Sequence, residues 1–252
     1  MKSIKDNNKK FDIHDFEKGL ILAGLVPPSN ISEFIERELL EEFEKKQAAK
    51  ANNEKVDIPV IPIKTVSNVD SYKRTLLAAE IVHNLHSEYA FGHLKLQKLI
   101  YLSQRVENLD LPVNFLKQAM GPYDNKLMRS IDKQLLEKKW YQFNPKESLK
   151  YKPLVNAGQH KKDFIKYFGQ QEDKIYWLIE TFRKVKSDTI EIVATLFACW
   201  EELIVEGSPV TNDALLIKFY NWSKFKEKFP YEIVLQQKEW MINNGLYPTQ
   251  KQ

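Results

Sequence analysis

One cysteine, Cys199, occurs in 252 residues, so no disulfide can form within the chain. It sits among Leu196, Phe197 and Trp200, which reads as a small buried hydrophobe on a helix face rather than as a reactive thiol. Glycine is scarce, with eight residues, and no Gly-rich dinucleotide turn, phosphate loop or GxSxG elbow can be found. No apolar run approaches the length of a membrane span, and the opening MKSIKDNNKKFD is polar, without an apolar signal core. From these absences we expect a cytoplasmic protein with no membrane contact, no cofactor and no catalytic set.

The hydrophobic content of 43% is enough for a sizeable core. Net charge is +4, unevenly spread: residues 113–186 hold 16 Lys and Arg against 8 Asp and Glu. That segment is the electrostatic candidate for nucleic acid, and its plain alternative is a well-solvated lysine-rich surface.

The most informative stretch runs from Phe91 to Trp140. Leu96, Leu99, Ile100 and Leu102 crowd one side of an amphipathic helix, while Lys95, Gln97, Lys98 and Gln104 lie largely elsewhere. One face is therefore expected in the core and the other in solvent. Gly121-Pro122 then interrupts the chain, because proline has no amide donor and restricts the residue before it. Asp124 or Asn125 can cap the helix that follows.

Lys95, Leu96, Lys98, Leu99, Tyr101, Gly121 and Pro122 form a pattern that resembles the helical module of the Panacea antitoxin family. More closely, the chain resembles a helical extension found on some bacterial type I restriction-modification subunits, both specificity and adenine-methyltransferase subunits. There the same block is followed by an Ala-Thr-Leu helix with a tryptophan, here Ala194, Thr195, Leu196 and Trp200. A final element matches Trp240, Met241, Asn244, Gly245, Leu246 and Pro248. The resemblance covers roughly residues 70–248. It implies a place in phage defence or restriction and names no reaction. Motor, nuclease and methyltransferase motifs are absent from the sequence.

Three regions are expected. Residues 1–55 read as an N-terminal helical arm: Phe11–Val26, a Pro27-Pro28 stop, then a helix over Ile31–Lys50. The latter carries Phe34, Ile35, Leu39, Leu40 and Phe43 in a narrow stripe among glutamates, so it needs a partner helix within the chain or by self-association. The proline pair followed by a long charged helix resembles the spacer helices of restriction specificity subunits. Residues 56–69, with Pro59 and Pro62, read as an extended linker. Residues 70–252 read as a compact Panacea-like helical domain, so the fold class is mainly α: a multi-helix domain with one small β-hairpin, plus the arm.

The hairpin is expected between Trp140 and Leu154, around Asn144-Pro145-Lys146-Glu147. A basic helix leading into a hairpin is the order of a winged-helix module. The aromatics Trp140, Tyr141, Phe143 and Tyr151 could stack on bases, or could be the hairpin's own core. Further on, Asp188 with Glu191 can cap a helix whose apolar face includes Leu196 and Trp200, and Gly207 can stop it. Thr211 can cap a shorter helix, and Pro230 suits the first turn of the last one, which Gly245 ends.

Lys126, Arg129, Lys133 and Lys139 are the candidate DNA- or partner-binding residues, with Gly121 and Pro122 as the structural corner that aims their helix. Asp124 and Asp132 on that helix dilute its charge. Glu80, His83, His86 and His93 form the one tempting metal constellation, against the plainer reading of ordinary helix-surface histidines, and no metal ligand is assigned. The functional expectation is a noncatalytic assembly module docking a protein partner from a restriction or toxin system, with DNA as a further contact. The alternative is an antitoxin-like chaperone that neutralises a toxin, and a metal-dependent enzyme on Glu80, His83 and His86 stands last.

Overall fold

Eight α-helices and two short antiparallel strand pairs account for the regular structure of the residues described by this computed structural model, namely 67–111, 115–145 and 147–249. The arm expected over 1–55, and the linker over 56–69 except for its last three residues, lie outside the described residues. The chain divides into two units, Met1–Ile61 and Pro62–Gln252, and all of the described residues belong to the second. The mainly α class read from periodicity is what the chain adopts.

Helix α1 (Asn68–Leu85) starts at Ser67, whose hydroxyl accepts from the Asp70 amide at 3.1 Å. From Arg74 to Val82 every residue is buried, because α1 packs against four other elements. Helix α2 (His93–Val106) comes next. A ribbon of β1 (Leu116–Gln118) and β2 (Gly121–Tyr123) then leads into α3 (Asn125–Glu137), the hairpin β3 (Tyr141–Asn144) and β4 (Ser148–Pro153), and α4 (Lys161–Phe168). Helices α5 (Glu172–Phe182), α6 (Ser187–Val205) and α7 (Asn212–Tyr220), a 3₁₀ turn at Lys224–Lys228, and α8 (Tyr231–Asn243) complete the unit.

Two clusters share one helix. α1 gathers α3, α4 and α5 around it; α6 gathers α7, α8 and β2; α2 touches α1, α5, α6 and β2. The two-faced helix expected for α2 is not what forms: Lys95, Gln97 and Lys98 are fully enclosed, and every residue from Leu94 to Ser103 is buried. Neighbours on all sides leave this stretch no solvent face. Its lysines survive burial because they find acceptors, Lys95 Nζ donating to the Arg183 carbonyl at 3.2 Å and Lys98 Nζ to the Pro122 carbonyl at 2.9 Å. The first acceptor lies just past the C-terminus of α5, where the helix dipole favours a cation.

The β1–β2 ribbon has no counterpart in the sequence expectations, since two three-residue strands fall below what periodicity reveals. Gly121-Pro122 forms its inner strand, and the ribbon as a whole is held by three donors. Besides Lys98, the Trp222 indole donates to the Gln118 carbonyl at 2.6 Å and the Ser223 hydroxyl to Ala119 at 2.7 Å. Gly121 adopts φ +102°, and a Cβ there would lie 2.7 Å from Thr195 Oγ1. The cap expected from Asp188 and Glu191 does not form. α6 begins without a side-chain cap; Glu191 is instead buried in an ion pair with Lys226, and Asp188 pairs with Lys228 at 3.0 Å. Thr211 caps α7 through the Ala214 amide, and Gly207 and Gly245 end α6 and α8 at positive φ.

Gly121→Ala should therefore cost more than about 2 kcal/mol, combining backbone strain with a steric clash. Adding Thr195→Ala should recover the steric part and leave the strain. Urea denaturation of both variants checks this, and an unchanged midpoint for Gly121→Ala would remove the close-approach account.

Candidate interaction site

Helix α3 is built to hold one face rigidly in water. Asp124 caps it, Oδ1 accepting from the Leu127 amide at 2.9 Å. Leu127, Met128, Ile131 and Leu135 are buried, a stripe at helical spacing. Polar anchors add to this grip: Gln134 donates to Ser71 Oγ at 2.5 Å and accepts from Thr75 Oγ1 at 2.7 Å, tying α3 to α1. Asp132 accepts from Tyr151 at 2.8 Å and pairs with His93 at 2.9 Å, tying it to the hairpin and to α2.

These anchors decide the electrostatics of the exposed side. Lys126, Arg129 and Lys133, three and four residues apart, share one exposed band. The two acids that dilute the charge in sequence are turned away, Asp124 to its own helix end and Asp132 to the hairpin. Glu137 remains exposed on α3, 3.7 Å from Lys133. Lys139 is exposed too but lies off the band, in the left-handed backbone just past the helix, at φ +55°. The structure thus brings three of the four basic candidates together and sets the fourth at the corner where α3 ends.

The hairpin expected after α3 is present, and its aromatics serve the core. Trp140, Tyr141 and Tyr151 are buried, and Phe143 stacks on His93 with ring centroids 4.6 Å apart. Burial and the neighbouring Asp132 carboxylate hold the Tyr151 phenol well above its ordinary range. Three of the four rings are thus turned inward, and Phe143 is half-buried.

The tempting constellation on α1 comes apart and re-forms around a residue that sequence reasoning missed. His93 faces Asp132, whereas Glu80 meets His160, just before α4, at 2.8 Å. Tyr176 and Asn84 also donate to Glu80 Oε1, each at 2.9 Å. His83 bonds the Tyr141 hydroxyl at 2.7 Å and lies edge-on to His160. Burial by itself would raise the Glu80 pKa; the hydrogen bonds, His160 foremost, outweigh it and hold the carboxyl below its usual range. Burial, and then Lys161 nearby, push His83 below its ordinary value. Glu80 is 1% and His160 0% exposed, so both are enclosed by the protein. No group of three or more His, Cys, Asp or Glu side chains is placed to hold a metal ion among the described residues.

No known protein family, characterised protein or solved structure matches the chain. The site is therefore read from its own geometry. Several residues that carry the sequence resemblance are scaffold: Lys98 bonds Pro122, Gly121 abuts Thr195, Tyr101 donates to Glu201 at 2.9 Å, and Leu246 is fully buried. The basic band is a separate feature, on the outside. No helix among the described residues is long and apolar enough to cross a membrane.

Two outcomes test this arrangement. The depressed Glu80 and His83 values both mean that the unfolded chain binds protons more readily, so stability should fall on acidification. The His83 part is present above its ordinary pKa of about 6.5, and the Glu80 part above about 4.5; each is lost as pH falls through its lowered folded value. Glu80→Gln should cost about 2–4 kcal/mol near neutral pH, with the deficit shrinking in acid, as read by urea denaturation at several pH values. Second, burial pushes the Cys199 thiol up to about 12, so iodoacetamide should label it only in denaturant.

Proposed function

We propose that the chain is a noncatalytic docking module of a bacterial restriction or phage-defence system, capturing a protein partner through the basic band of α3. One observation carries the reading: Asp124 and Asp132 are withdrawn into capping and tertiary bonds, leaving Glu137 as the one exposed acid of α3, so Lys126, Arg129 and Lys133 face solvent in excess on a helix anchored to α1, α2 and the hairpin. A charged band of this kind steers encounter and fixes orientation, and a rigid support keeps the entropy cost of capture low. The restriction or phage-defence setting comes from the sequence resemblance. The buried Glu80 and His160 pair supports a structural rather than chemical use of the most catalytic-looking residues.

The test is co-expression with the products of neighbouring reading frames, followed by affinity purification at low and at higher salt. A restriction or toxin subunit should be retained at both, since a protein interface survives salt that strips phosphate contacts. The triple variant Lys126→Glu, Arg129→Glu, Lys133→Glu should lose about tenfold or more in affinity with little change in melting temperature. Undiminished capture by the triple variant would refute the role of the band.

A further inference from the structure

We propose that the corner where α3 ends binds an acidic amphipathic helix of the partner protein. This rests on the docking role above and adds the chemistry of its occupant. Two residues meet there that the fold alone would not choose. Lys139 occupies left-handed backbone at φ +55°, where a lysine is strained and a glycine is not. Val155 is 81% exposed although its backbone is fixed on both sides, the Leu154 amide donating to the Trp140 carbonyl and the Asn156 amide to the Lys139 carbonyl, each at 2.9 Å. A hydrogen-bonded loop thus keeps an aliphatic side chain in water, next to a lysine that strains its own backbone.

The surroundings extend both properties. The Lys139 amide donates to the carbonyl of Leu136, which is 49% exposed. The turn after Val155 runs into α4, where Lys161 and Lys162 are exposed and Ile165, one turn further, is 56% exposed. Glu137, beside Leu136, is paired with Lys133, so aliphatic side chains stand there among an excess of lysines and ask for a partner that offers apolar atoms and carboxylates side by side. A phosphate backbone offers no apolar ridge, and a basic segment is repelled. A helix with an aliphatic ridge at three- and four-residue spacing, flanked by Glu or Asp, supplies both.

The experiment titrates the full chain with three labelled probes: a synthetic helical peptide with a leucine ridge flanked by glutamates, a peptide of the same composition scrambled to remove the ridge, and a short DNA duplex. The ridge peptide should bind about tenfold tighter than the scrambled one, and the duplex more weakly than either. Val155→Ser with Leu136→Ser should remove about tenfold of the ridge peptide's affinity at unchanged melting temperature. Lys139→Gly should weaken binding while raising the melting temperature, because strain retained for a partner is released. Equal binding of the two peptides, preference for the duplex, or a lower melting temperature for Lys139→Gly would each overturn the inference. The docking role itself fails only if the triple α3 variant keeps its native partner, so the two failures are distinguishable.

Discussion

A buried ammonium organises this molecule. Lys98 is fully enclosed and donates to the carbonyl of Pro122, where Gly121 comes against Thr195 of α6. An ammonium left in such a place without acceptors would be too costly to keep charged. Placed there with one, it fixes α2 to the β1–β2 ribbon at a single register. Lys95, one turn away on the same helix, does likewise at the end of α5. The helix that looks amphipathic in sequence is thereby the axle between two clusters.

Each cluster repeats the device with its own buried pair. Around α1, Glu80 gathers His160, Tyr176 and Asn84, joining three helices through one carboxylate. Around α6, Glu191 holds Lys226, with Lys228 at 3.4 Å from its second oxygen. Apolar replacements could pack as tightly as pairs of this kind, but removing one partner alone would leave a buried charge uncompensated. Bonds of the same type give α3 its fixed exterior, since Asp132 reaches α2 and the hairpin while Gln134 reaches α1. Rigidity inside and charge outside are two results of one set of contacts.

This division also sets what the resemblance can carry. Many of its residues, Lys95, Lys98, Gly121, Thr195 and Leu246 among them, are interior and speak to architecture, while Asn244 and Gly245 lie exposed at the end of α8. The exposed band of α3 and the corner at Lys139 and Val155, on which the proposed docking rests, are not part of that pattern. The resemblance and the proposed docking surface thus lie in different parts of the chain.

Local sequence suffices for the helical class, the caps at Asp124 and Thr211, the stops at Gly207 and Gly245, the hairpin after Trp140 and the shared face of Lys126, Arg129 and Lys133. All of these depend on residues within a few positions of one another, where propensity, capping and periodicity act. Long-range packing chooses which polar residues go inside. Nothing local distinguishes Lys98 from Lys126, and the difference is that one meets a carbonyl 24 residues away while the other meets water. His160 is invisible beside Glu80 in sequence because 80 residues separate them, and the ribbon is too short to leave a period. The short-range code sets what each segment is; the desolvation of a few charges, offset only by distant partners, sets where each one must sit.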